Sequence, residues 1–195
     1  ELKTNDRFII YTSGTTRKPK GVIISNKAIS ANVRAINKDL KLKKIDKSVI
    51  FSPPAYAMGI SQILTFMISN SKILFYKNGL KFPSELIKKI TEHKISVLNI
   101  SISAFRILEN YLKKSEKFKF IKIVMSGGMP MNKQIVIKYK KFFPKAKIIN
   151  FYGCTENSPR ISHFHLISPN KIYEPYMPVG KALEGVKIKI KKHKD

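Results

Sequence analysis

From Thr12 to Gly21 the chain reads Thr-Ser-Gly-Thr-Thr-Arg-Lys-Pro-Lys-Gly, with four hydroxyl side chains, two glycines, three cations and no carboxylate. Gly14 and Gly21 let the backbone turn successive N–H groups toward one point, and a concave run of amides attracts anions. Thr12, Ser13, Thr15 and Thr16 add hydroxyl donors, and Lys18 and Lys20 add positive charge. A polyphosphate is the ligand that uses all of these at once. A hydrated turn between two strands has a similar composition, but the Lys-Pro-Lys-Gly run directly behind the hydroxyls favours the anion. No Gly-Lys-Ser/Thr closes the loop and no Gly-x-Gly-x-x-Gly occurs, so it is neither a Walker loop nor a dinucleotide fingerprint.

A second group of residues complements the first. Ser126-Gly127-Gly128 and the run Asn150 to Glu156 (Asn-Phe-Tyr-Gly-Cys-Thr-Glu) both follow short apolar segments. Paired glycines allow a flat base to lie against bare backbone; Tyr152 offers a stacking face and Asn150 a partner for a purine amine. Thr155 can donate to a phosphate oxygen. Glu156 is one of few acids nearby, and a carboxylate facing phosphates repels them unless a cation lies between, which points to a magnesium ligand. A capped helix start with Glu in its first turn gives the same pattern.

These residues need a scaffold, and the chain supplies a rhythm for one. Short apolar runs at 48–51, 73–76, 97–100, 120–125 and 148–151 alternate with amphipathic stretches at 25–40, 57–69, 83–93, 103–114 and 131–143. Such alternation predicts βαβ units and a mostly parallel sheet flanked by helices, and buried strands explain why the runs are uniformly apolar. In an open parallel sheet, ligands sit beyond the carboxyl ends of the strands, where both glycine-bearing segments fall. The stretch 161–178 has no period and reads as loop. Val186 to Ile190 alternates with lysine and predicts a half-exposed strand in an antiparallel sheet. The expected organisation is a nucleotide-binding α/β core over 1–160, with the start of a β subdomain over 161–195.

Composition narrows the function classes. The 195 residues are 43% hydrophobic and 26% charged, a globular balance. Ile60 to Ile68 is the longest apolar run and is too short and too interrupted to span a bilayer. The single cysteine, Cys154, rules out an internal disulfide and suits a reducing, cytoplasmic setting; it reads as a small filler. The formal charge of +26 is spread along the chain as lysine, with only five arginines. That is poor stock for base reading, so a weak general attraction for polyanions is expected and no specific nucleic-acid partner. His163 and His165 flank Phe164 in a stretch read as loop with no third ligand in sequence. Arg160 reads equally as a surface residue or as a contact for phosphate or carboxylate.

Together the two motifs resemble those of the adenylate-forming (AMP-binding) enzymes: acyl-CoA synthetases, luciferases and the adenylation domains of peptide synthetases. Thr12 to Thr16 with Pro19, Lys20 and Gly21 match their Thr-Ser-Gly-Thr-Thr-Gly-x-Pro-Lys-Gly signature, and Asn150, Tyr152, Gly153, Thr155 and Glu156 match Asn-x-Tyr-Gly-x-Thr-Glu. The resemblance covers the whole chain, including Pro178-x-Gly180-Lys181. It implies that a carboxylate attacks the α-phosphate of ATP and that a thiol of coenzyme A or of phosphopantetheine on a carrier protein takes the acyl group. Thr12, Ser13, Gly14, Thr15, Thr16 and Lys20 would then hold the β- and γ-phosphates, and Gly127, Gly128, Asn150, Tyr152 and Gly153 the adenine. Thr155 would meet the α-phosphate and Glu156 the Mg2+, so that Thr155, Glu156 and Lys20 carry the chemistry.

Two positions depart from the family. Arg17 stands where Gly is usual, and Tyr56 replaces the aromatic-gate histidine in Pro53-Pro54-Ala55-Tyr56-Ala57-Met58-Gly59. The Thr-Gly-Asp segment, the hinge and the lid domain with its lysine are expected beyond Asp195, which makes the chain a core fragment with little turnover alone. Amino-acid-activating members pair the substrate ammonium with an aspartate near residues 53–59, yet Lys47 to Ser84 contains no acid. The expected lining of Tyr56, Ala57, Met58, Phe105 and Met129 suits a fatty or aryl acid. An adenylation domain of a peptide or polyketide synthetase, and a degraded gene product without turnover, remain as alternatives.

Overall fold

The computed structural model describes residues 7–12, 19–166 and 173–191. Among them, seven strands form one sheet in the order β4-β3-β5-β6-β7-β8-β9, and β1 and β2 form a separate two-stranded sheet. The strands are β1 Arg7–Thr12, β2 Lys20–Ser25, β3 Lys47–Ile50, β4 Lys72–Phe75, β5 Val97–Asn99, β6 Ile123–Gly127, β7 Lys147–Tyr152, β8 Ser162–His165 and β9 Lys181–Ala182. The helices are α1 Asn26–Leu40, α2 Ala57–Ile68, α3 Pro83–Glu92, α4 Ile102–Glu109 and α5 Lys133–Phe142. β3 to β7 run parallel, while β8 and β9 are antiparallel additions on β7.

Each helix follows from local chemistry. Ser25 caps α1 by accepting the Ala28 N–H at 3.1 Å, and Ile29, Val33, Ile36 and Leu40 recur at helical spacing on its buried side. Pro83 opens α3, whose Leu86, Ile87 and Ile90 face inward. Ser101 and Asn132 cap α4 and α5 through the N–H groups of Ala104 and Ile135. In the strands, neighbours point to opposite faces. Val124 and Ile148 join the α3–α5 core, whereas Met125, Ile149 and Phe151 pack against α1 through Ala35, Ile36 and Leu40. The result is a sheet with helices on both sides.

Three expectations need correction. Val186–Ile190 pairs with no strand among the described residues, because an alternating pattern marks a face and does not by itself provide a neighbour. The antiparallel strands lie earlier: Ser162–His165, in a stretch read as loop, pairs Asn150 with Phe164 and Phe151 with His163. Helix α4 ends at Glu109, short of the expected Lys114, in a turn at Tyr111 and Leu112 closed by N–H bonds to Leu108 and Glu109 carbonyls.

Candidate active site

The β1–β2 hairpin fixes the stem of the first motif. Phe8 pairs with Ile24, Ile10 with Val22 and Thr12 with Lys20, so Thr12 and Lys20 continue the face that buries Ile10 and Ile24 against Ile29, Val33 and Ala57. Gly21 faces Tyr11, and a Cβ there would stand 3.2 Å from Ile9 Cγ2. The loop residues Ser13, Gly14, Thr15, Thr16, Arg17 and Lys18 lie outside the described residues. β2 packs against the 3-10 turn Thr155–Asn157 that carries the second motif. Helix α1, continuous with β2, ties the segment behind that turn. Asn32 Nδ2 donates to the Arg160 carbonyl at 2.6 Å, and the Arg160 N–H donates to Asn32 Oδ1 at 3.3 Å. The strand that leaves the first motif and the turn that carries the second are therefore neighbours.

The second motif is shaped by close packing. A Cβ on Gly127 would strike the Phe151 carbonyl and ring, so this glycine serves the β6–β7 contact. Gly128 is different: its φ is +83° and nothing lies within 4 Å of where its Cβ would be, leaving bare backbone open. Tyr152 is exposed beside it at the end of β7. Gly153 lets the chain pass against the Pro159 carbonyl and Arg160 Cα. Thr155 is half-buried, and Glu156 is exposed with no cation in ion-pair contact among the described residues. An unpaired, outward carboxylate in a chain of charge +26 fits a divalent cation. Asn150 is buried and its amide donates to the Pro178 carbonyl at 2.8 Å and to that of Met177 at 3.4 Å, so its N–H groups hold the 177–178 loop.

The expected acid lining divides. Tyr56 is exposed just before α2 and Met129 is exposed with its sulfur 3.1 Å from the Ser103 hydroxyl. Met58 is half-buried against the α1-side core. Ala57 is buried under the hairpin. Phe105 belongs elsewhere: it is 1% exposed and sits edge-on to Tyr139, 4.5 Å between ring centres, inside the α3–α5 core. Its helical spacing alone did not say which side of the sheet it faced. Cys154 is exposed and is not a filler.

Two features were not legible in the sequence. Asn99, at the carboxyl end of β5 beside Met125, has a buried Oδ1 with no partner among the described residues. Asp39, near the end of α1, joins both histidines: His163 Nδ1 lies 2.7 Å and His165 Nε2 2.9 Å from its carboxylate. The histidines are thus strand residues with a third partner 124 positions away from His163. Arg160 Nη1 lies 3.4 Å from His163 Nε2. Because a guanidinium only donates, Nε2 accepts and the His163 proton resides on Nδ1, facing Asp39. A metal on Nδ1 would drive that proton toward the guanidinium, the reverse of the acceptor that supports a metal-bound histidine. Asp39 is thus linked through His163 to Arg160. Burial pushes the His163 ring below its ordinary pKa, the Asp39 hydrogen bond pulls it partly back, and the Arg160 charge lowers it again. For Asp39, burial acts upward, but the His163 hydrogen bond and both imidazoles outweigh it and leave the carboxyl below its ordinary range.

The profile of the AMP-binding enzyme family matches residues 2–195. The chain belongs to that family. Among curated relatives it is 29% identical over 155 residues to surfactin synthase subunit 2 of Bacillus subtilis, covering 78% of this chain and 4% of that protein. It is 30% identical over 197 residues to acyl-CoA synthetase 7 of Caenorhabditis elegans, covering 95% of this chain and 35% of that one. The chain thus spans well under half of these relatives. Its fold is similar to that of the O-succinylbenzoate coenzyme A synthetase of Bacillus subtilis in complex with AMP (TM-score 0.79, 22% identity, 94% of this chain and 36% of that one). No helix among the described residues is long and apolar enough to cross a membrane.

Proposed function

We propose that this chain is the nucleotide-holding core, with residues 161–195 leading into a β subdomain, of a longer cytoplasmic enzyme that activates a carboxylic acid as its acyl-adenylate. The acyl group then passes to a thiol of coenzyme A or carrier-bound phosphopantetheine. The observation that carries the reading is the packing of β2 against the Thr155–Asn157 turn, which supports a single triphosphate site shared by both motifs. Lys20 and the hydroxyls from Thr12 onward neutralise the β- and γ-phosphates, Thr155 donates to the α-phosphate, and Gly128 and Tyr152 receive the base. Attack of an anion on a polyanion needs charge neutralisation more than covalent help. Mg2+ held by Glu156 would supply part of that neutralisation.

An α-amino acid is disfavoured, since no acid from Lys47 to Ser84 can pair its ammonium. Tyr56, Met58 and Met129 favour an acid with an apolar or aryl body. The test is carboxylate-dependent exchange of labelled pyrophosphate into ATP by the full-length protein. Glu156→Gln is expected to lower exchange by on the order of 100-fold while changing nucleotide binding far less; equal loss of both would remove Glu156 from its role. No exchange with any acid would favour a protein without turnover, the reading that Arg17 at a usual glycine position supports.

A further inference from the structure

Arg160 lies four residues beyond Glu156 and is 3% exposed. Its guanidinium carbon stands 3.6 Å over the centre of the Phe151 ring, and that ring in turn covers Gly127. The backbone of Arg160 touches Gly153. The guanidinium therefore lies on the face of the sheet that packs against α1, one residue short of the carboxyl end of β7; ligands collect beyond that end.

Among the described residues, the guanidinium has no anionic partner. Among the described residues no carboxylate comes within ion-pair distance, and its only side-chain hydrogen bond is the long one from Nη1 to His163 Nε2. Nε and Nη2 have no partner among the described residues. Burial drags the group down to a pKa of about 9, the mark of a cation desolvated without compensation. Asp39 is the nearest counter-charge named by the network, and it acts only through His163. That link orients the Nη1 side and leaves the opposite edge of the planar fork unused. A free guanidinium edge matches a carboxylate, which can accept two parallel N–H bonds.

We propose that Arg160 is a specificity-determining residue that binds a second anionic group, a carboxylate, on the acid being activated. This rests on the acyl-adenylate reading above. The reacting carboxylate must meet the α-phosphate near Thr155, so the carboxylate on Arg160 is a different one. The substrate class is then a dicarboxylic acid with an apolar or aryl body, and Asp39 and His163 are positioning residues that hold the guanidinium edge toward it.

The experiment uses the full-length protein, pyrophosphate exchange, and pairs of acids matched in length, one with a second terminal carboxylate and one without. A diacid preference of at least tenfold in kcat/KM is expected for the native protein. In Arg160→Gln the diacid-to-monoacid ratio should fall at least tenfold, and Arg160→Lys, which keeps charge but not the fork, should fall between. A merely structural role would lower both acids together and leave the ratio intact, which overturns the proposal. So does a native preference for the monoacid, and that result stands even if the variants fold poorly. Absence of exchange with every acid would instead count against the acyl-adenylate reading itself.

Discussion

Replacing Asn99 with leucine is expected to stabilise the chain. Its Oδ1 is removed from water and meets no donor among the described residues, and such an acceptor costs about 1–3 kcal/mol. Leucine has nearly the same shape without the polar atom, and exchanging an unpaired polar group for an apolar one is neutral or favourable. Urea unfolding of Asn99→Leu should show a higher midpoint with an unchanged slope. A lower midpoint would mean that the amide is serving a bond supplied by residues outside those described. Arg160 is the companion case on the donor side: a buried side chain whose one side-chain hydrogen bond among the described residues is to His163. Neither state is visible in a residue's type, since each depends on what the fold brings, or fails to bring, alongside.

At the scale of elements, α1 is held to β8 by one carboxylate and two imidazoles, and that junction sets a pH dependence. The folded His163 pKa lies below 6.5, so between the two values the unfolded chain binds the proton that the folded chain refuses. Stability therefore falls as pH drops from 7 toward 5, by at most about 1.4 kcal/mol per pH unit for one proton. The contribution of Asp39, lowered from 3.8, is present above that value and lost only as pH falls further through its folded pKa. The charged groups facing His163 are Asp39, His165 and Arg160. His163→Asn, which keeps a donor toward Asp39, should flatten the slope between pH 7 and 5 in denaturant titrations; an unchanged slope would assign it to other groups. The sequence foretold the parallel strands and their helices because buried runs and helical stripes are local patterns. It did not foretell β8, since Ser-His-Phe-His carries little apolar signal, nor Asp39, which reaches the histidines only through tertiary packing. Phe105 failed for a related reason: periodicity identified its helix but not which layer the helix joined. In the candidate site, the two motifs were legible only as patterns of residue type and spacing, whereas the work of Gly127 against Phe151 and of Asn150 on the 177–178 loop required the neighbours to be seen.

At the scale of the molecule, the charge of +26 sets two salt dependences of opposite sign. With 38 basic and 12 acidic residues, most lysines lack any acidic partner, and the ion pairs that do form are mainly exposed. Like charges repel more in the compact state than in the expanded one, so added salt should stabilise folding. Screening tightens from about 30 Å at 0.01 M to about 3 Å at 1 M. The unfolding midpoint should therefore rise steeply at low sodium chloride and level off once the Debye length falls below the spacing of surface lysines. Nucleotide affinity should move the other way, because the field that strains the fold also draws a polyanion toward Lys20 and its neighbours. Thermal unfolding and ATP titration across one salt series measure both in the same samples. If the two curves rise together, the charge is acting through specific ion binding to the folded state. A fall in both would show that the native ion pairs outweigh the general repulsion.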